Sequence, residues 1–331
     1  MLNKDLNQKI FDKDVEKKST REGYGEGLLE IGKKDERVVA LSADLTNSTK
    51  THLFANEFPE RFIQVGVAEQ NLATVASGMA TMGKIPFVSS YAMFSPGRNW
   101  EQIRTTICYN NVPVKIVGAH AGVSVGPDGG THQAIEDIAL MRVIPRMTVL
   151  YPCDYFEAKK ATIEAVNIDG PVYIRLARND TPIITTDKTP FEVGKAQVVF
   201  ESKSWLSDNQ QKVGIIGSGH LLYQALVATK ELDENGIGVK VLNLATIKPL
   251  DEKAIIDLAK EVKGIVTVEE HQVACGMGSA VAELLSQKYP IRIEMVGIKD
   301  QFGQSGKPEE LVKHYGLDSD VIKKAVNKIL E

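Results

Sequence analysis

Short apolar runs rich in β-branched residues alternate along most of the chain with stretches whose apolar positions recur at helical spacing. The runs read as buried strands and the periodic stretches as amphipathic helices, so their alternation predicts parallel α/β layers. "STRE", from Ser19 to Glu22, has the form of a capping box and opens a helix with Tyr24, Leu28 and Ile31 on one face. Strand "RVVAL" (37–41), loop "SADLTNST" and strand "RFIQV" (61–65) come next. "GVAEQNLATVASGMATMG" (66–83) follows as a helix with Glu69 in its first turn. Its other notable residues are small (Ala73, Ala76, Ser77, Gly78 and Ala80), and such a surface suits close packing against a second backbone. Strand "IPFVSS" (85–90), a helix carrying Trp100, Ile103 and Ile107, and strand "VKIVG" (114–118) lead into a glycine-rich loop, "AHAGVSVGPDGGTHQ". Helix "AIEDIALMRV", strand "MTVLY", helix "DYFEAKKATIEAV" and strand "PVYIRLA" (171–177) complete this unit.

The pattern breaks at "NDTPIITTDKTP" (179–190), where prolines and threonines predict an extended linker. A second unit follows, with strands "AQVVF", "KVGIIG", "GVKVLN", "GIVTVE" and "IRIEMVG" between helices. The expected fold class is therefore α/β, with two Rossmann-like parallel-sheet domains. The expected divisions are an N-terminal tail at 1–18, a first domain at 19–180, a linker at 181–194 and a second domain at 195–331. A length of 331 residues agrees with two domains.

Composition removes several function classes. The formal net charge of −4 argues against nucleic acid as a partner, because phosphate backbones call for a basic surface. Three scattered cysteines, Cys108, Cys153 and Cys275, have no CxxC spacing, which fits a reducing compartment without disulfides or a zinc site. "MLNKDLNQKIFDKDVEKK" mixes charges without an apolar core, so it does not read as a signal peptide. No apolar run reaches the length of a membrane span. The expectation is a cytoplasmic protein without membrane attachment.

Ligands of open α/β sheets bind beyond the carboxyl ends of the strands. Five strands of the first unit run there into polar or aromatic residues: Asp44 and Ser48, Glu69, Tyr91 and Phe94, the loop with His120, Asp128 and His132, and Arg178. Each has a plain structural alternative. Glu69 could complement a helix dipole, Asp44 could make a turn, Tyr91 and Phe94 could be core aromatics, and Arg21 and Arg178 could be surface charges. Five sets at one edge favour a site. Two other signals carry less weight. "VGIIGSGH" lacks the third glycine of a dinucleotide fingerprint, since Leu222 stands there. "EEHQVACGMGSAVAELL" puts His271 before a helix, where an anion could sit, but a structural loop explains it as well.

The set "STRE", "SADLTNS", "GVAEQN", "PFVSSYAMF", "AHAGVSVGPDGGTHQ" and "LARND", in that order and spacing, resembles the C-terminal half of transketolase. The resemblance covers nearly the whole chain, as a pyrimidine-binding domain followed by a transketolase C-terminal domain. Its most specific part is the arrangement H-x7-D-G-x-T-H at His120, Asp128 and His132. The resemblance implies thiamine diphosphate as cofactor, lying between two subunits. Glu69 matches the glutamate that hydrogen-bonds N1′ of the aminopyrimidine, so that the 4′-imino nitrogen serves as base for C2. Phe94 and Tyr91 would stack on that ring, and Asp44 would lie near it. His120 and His132 would bind sugar hydroxyls and shuttle protons as the C2–C3 bond breaks and re-forms. Asp128 would hold the C2 hydroxyl of the acceptor aldehyde, while Arg21, Ser48 and Arg178 correspond to the phosphate grip.

The family's GDG motif with its downstream Asn, which holds the diphosphate and a divalent metal (Mg2+ or Ca2+), is absent; "PDGG" at 127–130 belongs to the substrate loop. The resemblance therefore implies a split enzyme, with no metal ligand in this chain. An N-terminal transketolase subunit would supply the missing half, in an α2β2 heterotetramer acting on phosphosugars, by default those of the pentose phosphate pathway. The run Ala68, Glu69, Gln70, Asn71 departs from single-chain transketolases, which usually carry Arg, His, Ala and Met around this glutamate. Deoxyxylulose-phosphate synthase and the β subunits of 2-oxo acid dehydrogenases share that version, and they are the alternative enzymes. His120 counts against the synthase, and the phosphate grip counts against the dehydrogenases, whose acceptor is a lipoyl arm. The remaining alternative is a non-catalytic paralogue. The second domain shows no evident chemistry of its own and reads as a packing and interface module.

Overall fold

The computed structural model describes residues 1–206 and 211–331. Among these, the larger sheet has seven strands in the order Thr246–Lys248, Thr148–Leu150, Val172–Arg175, Lys115–Ala119, Ile85–Tyr91, Val38–Ser42 and Phe62–Gln64. All pair in parallel except Thr246–Lys248, which runs antiparallel to Thr148–Leu150. The second sheet has five strands, Arg292–Ile298, Gly264–Gln272, Lys212–Gly217, Gly238–Asn243 and Gln197–Glu201, the last of them antiparallel. Val38–Ser42, Lys115–Ala119 and Val172–Arg175 are buried at every position. Helices cover both sheet faces there, which is why these strands read as unbroken apolar runs and not as alternating ones.

The helix Thr20–Lys34 begins at a complete capping box: Ser19 accepts from the Glu22 amide, and the Glu22 carboxylate accepts from the Ser19 amide. The hydroxyl of Thr20 then accepts the Ala177 amide at 3.0 Å, fastening this helix to the chain that leaves Val172–Arg175. Gly23 lets it lie on the helix Tyr155–Ala165, because a Cβ there would stand 2.1 Å from the Tyr155 carbonyl oxygen. Arg21 is thereby held beside Arg178.

Four segments differ from the sequence reading, each through a tertiary contact. Residues 1–18 do not hang free: Leu6 and Ile10 are buried in the core of the second unit, and Lys17–Ser19 pairs with Asp180–Pro182. The expected linker is likewise packed, with Ile183 and Ile184 buried and the Ile184 amide donating to Asp154 Oδ2 at 2.7 Å. Thr246–Lys248, in the second unit by sequence, returns to the edge of the first sheet. The helix carrying Trp100 is wound wider, as a π-helix, over Ile103–Cys108.

Polar groups join the two units as much as apolar ones do. Arg175 is fully buried; its Nε donates to Asp137 Oδ2 at 2.8 Å, and its Nη2 to the carbonyls of Ala134 and Glu270, both at 3.0 Å. Burial alone would raise the Asp137 pKa, but the Arg175 charge and the bonds from Arg175 and Tyr173 outweigh it, so the carboxyl sits below its usual range. Removing one partner of such a pair leaves a buried uncompensated charge. Arg175→Met should therefore destabilise the chain by about 3 kcal/mol, read as a lower urea midpoint.

Candidate active site

Parallel pairing sends the carboxyl ends of Val38–Ser42, Phe62–Gln64, Ile85–Tyr91, Lys115–Ala119 and Val172–Arg175 to one edge. Ser48, Glu69, Tyr91, His120 and Arg178 follow these strands in turn. Arg21, Ser48, Tyr91, His120, Asp128 and Arg178 line one cleft of about 500 Å³, together with Asn179 and Asp180.

One wall of the cleft is cationic. Arg21 donates to the Ser48 carbonyl at 2.7 Å and also to the Arg178 carbonyl, while its Nε is buried with no hydrogen-bond partner among the described residues. Arg178 donates to the Val125 carbonyl at 3.1 Å, and burial together with the Arg178 charge lowers the Arg21 pKa. Two half-buried guanidiniums that repel each other make a preformed place for an anion.

His120 sits in the left-handed region at φ 57°, buried, its ring stacked on Tyr91 at 3.9 Å between centroids. Its Nδ1 has no hydrogen-bond partner among the described residues. Burial first, then the charges of Arg21, Arg178 and His132, push its pKa down to about 3, so the imidazole is neutral near pH 7. Tyr91 also stacks on Phe94 at 5.7 Å, and Phe94 meets His132 edge-on at 5.3 Å. His132 Nδ1 lies 2.9 Å from the Thr131 hydroxyl. The aromatic rings thus join both histidines into one surface.

Glu69 is the first residue of the helix Glu69–Thr81 and is buried. Its carboxylate accepts from Arg98 Nη1 at 3.1 and 3.3 Å, and the Arg98 guanidinium lies 4.1 Å over the Phe94 ring. Asn99 Nδ2 donates to the Glu69 carbonyl at 2.9 Å and fixes that helical turn. The carboxylate, the guanidinium and the Phe94 ring are therefore contiguous. Asp44 is at the same sheet edge but stands apart: exposed, at φ 60°, with its amide donating to Gln64 Oε1 at 2.7 Å.

Sequence reasoning missed Arg98, Asn99, Asn179 and Asp180. The signal for Arg98 was its place four residues after Phe94, on a segment already marked as a site. The close packing expected of the small-residue helix is mostly internal: Ala73, Ala76, Ser77 and Ala80 are buried in this chain, with Ser77 donating to the Thr106 carbonyl. Only Gly78 opens outward with nothing near it among the described residues. His271 is a structural residue, its Nδ1 donating to the Gln272 carbonyl at 2.7 Å and its Nε2 near the Ala139 amide at 3.4 Å. Glu269 caps the helix Met277–Lys288, accepting the Met277 and Gly278 amides at 2.7 Å, so no anion is called for there. Among the described residues no group of three or more His, Cys, Asp or Glu could hold a metal ion.

Comparison with known proteins gives concordant results. The family model described as transketolase, pyrimidine binding domain, matches residues 16–183, and that of the transketolase C-terminal domain matches 204–322. A Methanocaldococcus jannaschii protein described as a transketolase C-terminal section is 46% identical over 93% of this chain and 95% of its own length. A 6-deoxy-6-sulfo-D-fructose transketolase subunit of Clostridium sp. is 38% identical over 97% of both chains. Human transketolase is 39% identical over 95% of this chain, which spans 49% of the human protein. A solved structure described as a split gene transketolase, inactive β4 tetramer, superposes with a TM-score of 0.85 at 44% identity, covering 94% of this chain and 98% of that one.

The electrostatics of His120 give a direct check. Its imidazole should stay neutral from pH 8 to pH 5 in 15N NMR titration, and Arg178→Gln should move the midpoint upward by removing one of the charges that depress it. An unfolded histidine titrates near about 6.5, so this term is neutral for stability above that pH and costs stability as pH falls toward about 3. His120→Gln should accordingly lose less stability than the parent between pH 6 and pH 4.

Proposed function

We propose that this chain, which belongs to the transketolase family, is the C-terminal subunit of a two-subunit transketolase that moves a two-carbon ketol unit from a ketose phosphate to an aldose phosphate. One observation carries the reading: a single cleft orders an anion-binding pair of arginines, a neutral histidine with an unsatisfied nitrogen, and an aromatic surface that leads to a buried carboxylate. A phosphosugar has that sequence of needs, with a charged tail, hydroxyls along the chain, and a reacting carbon at the far end.

Thiamine diphosphate, when bound, supplies the nucleophilic carbon for breaking and forming the C2–C3 bond. Its aminopyrimidine half would meet Phe94, Tyr91 and Glu69, the ring taking the place of the Arg98 guanidinium over Phe94 and Glu69 holding a proton against N1′. Arg98, now bonded to both Glu69 oxygens, would release them for that contact with N1′. Asp44 would stand at the margin of that site. The diphosphate and its Mg2+ or Ca2+ would be held by a partner carrying the GDG motif, which this sequence lacks. Nearly full-length similarity to a transketolase C-terminal section, and to a split gene transketolase chain described as an inactive β4 tetramer, supports the same division; the assembly we propose for the two subunits is α2β2.

Arg21, Ser48 and Arg178 would hold the anionic tail of the sugar, His120 and His132 its hydroxyls, and Asp128 the C2 hydroxyl of the acceptor. A bound anion would cancel two of the charges that depress His120, so its proton affinity would rise when substrate is seated. The imidazole would then take up a hydroxyl proton only with sugar in place. A terminal sulfonate would suit the same arginines, and the Clostridium relative, named for a sulfo-sugar, makes modified-sugar catabolism the competing reading to pentose phosphates. His120 disfavours deoxyxylulose-phosphate synthase chemistry, and the arginine pair disfavours 2-oxo acid dehydrogenase chemistry. Cytoplasmic residence accords with the reading; among the described residues no helix is long and apolar enough to cross a membrane.

The lone chain should show no ketol transfer, and adding the N-terminal partner should restore it; full activity without the partner would refute the split. In the assembled enzyme, Glu69→Gln should lower kcat by about 10²–10⁴-fold at similar sugar affinity, the range expected for losing a proton-transfer group. A variant as active as the parent would point instead to the non-catalytic paralogue.

A further inference from the structure

We propose that Glu270, on the strand Gly264–Gln272 of the second sheet, is a positioning residue for the loop between His120 and His132, so that the second domain sets the geometry of sugar recognition. The proposal rests on the reading that this loop binds substrate. Glu270 is wholly buried, and its carboxylate is directed at Ser124: Oε1 accepts the Ser124 amide at 2.6 Å and Oε2 the Ser124 hydroxyl at 3.0 Å. Ser124 lies four residues after His120 and four before Asp128. Gly122, at φ 89°, makes the approach possible, since a Cβ there would stand 1.9 Å from Oε2.

The loop is fastened at its other end from the same domain. Gln133 Nε2 donates to the Gln304 carbonyl at 3.0 Å, and also reaches back to the carbonyls of Val123 and Gly126 at 3.0 and 3.3 Å. A Cβ on Gly130 would stand 2.7 Å from the Gly303 carbonyl oxygen, so the second domain forms the floor of the loop. On the far side of Glu270, His220 Nε2 comes within 3.3 Å of Oε2, and His220 Nδ1 lies 3.4 Å from the Tyr151 hydroxyl. Arg175, which bonds Asp137, also bonds the Glu270 carbonyl and so fixes the strand.

A join needed only for adhesion would be served by apolar side chains, because burying a carboxylate is costly without full hydrogen bonding. This carboxylate instead holds both the main chain and the side chain of one loop residue. Such a contact sets direction as well as distance. The loop is also held from the first domain, by Arg178 on the Val125 carbonyl and by Asn179 on the Ser124 carbonyl. The position of His120 and Asp128 therefore depends on both domains, while Glu69, on a separate segment, does not depend on the second.

The test uses the chain assembled with its N-terminal partner. Glu270→Ala should lower kcat/KM for ketol transfer about 100-fold, mainly through KM, as expected for a misplaced binding group. Hydrogen–deuterium exchange at C2 of bound thiamine diphosphate should be unchanged. Glu270→Gln keeps an oxygen for the Ser124 amide and an NH2 group for its hydroxyl, so it should recover most of the activity. Ser124→Ala, the gentler variant, should cost about tenfold, as for one hydrogen bond. In the lone chain, amide exchange should rise across 120–133 in Glu270→Ala and stay constant across 66–83. Equal losses of C2 exchange and transfer, deprotection throughout the chain, or no change in either readout would overturn the proposal. A parent complex that exchanges C2 but transfers no ketol unit would instead sink the functional reading, with loop exchange still deciding the role of Glu270.

Discussion

Six of the seven strands in the larger sheet run parallel, and this constraint governs the rest of the molecule. Parallel strands place their carboxyl ends together, so residues far apart in the chain arrive at one edge. Arg178 and His120, 58 positions apart in sequence, thereby come to line one cleft with Ser48 and Tyr91. Helix Thr20–Lys34 adds Arg21 because Thr20 is bonded to the chain at Ala177 and Gly23 lets the helix lie on Tyr155–Ala165. A slip of that helix would remove half of the cationic wall.

Electrostatics within the cleft follow from burial. Arg21, Arg178 and His132 all act on His120 in a site with limited access to water, and the outcome is an imidazole that resists protonation. In the proposed function neutrality matters, since a permanent imidazolium at His120 would attract the anionic tail of a sugar phosphate instead of its hydroxyls. Glu69 has its own counter-charge in Arg98, which lies over the Phe94 ring. Two electrostatic regions thus lie at one sheet edge, the cleft with its two arginines and the Glu69–Arg98 pair beside the Phe94 ring.

The second domain changes standing once its contacts are known. It is not a passive attachment, because buried polar groups cross the boundary: Asn243 to Glu157, Arg175 to the Glu270 carbonyl, and Glu270 to Ser124. Apolar packing would tolerate small shifts between the units. Hydrogen-bonded carboxylates at 2.6 to 3.0 Å tolerate far less, and that of Glu270 transmits the placement of one sheet to a loop on the other.

The chain alone determined the main strands and helices and their order, the capping box at Ser19, and the candidate residues, because apolar periodicity and turn chemistry are local properties. It also carried the spacing of His120, Asp128 and His132, which lies in one continuous loop. The short strands Lys17–Ser19 and Asp180–Pro182 and the helix His52–Glu57 were not legible in the sequence. Local pattern could not reveal that Leu6 and Ile10 seal the second core, that Thr246–Lys248 joins the first sheet, or that Arg98 pairs with Glu69. Nor could it show that Glu270, 146 residues from Ser124, would hold the loop. Those facts depend on which buried polar groups find partners, and that is settled only when distant segments are packed together.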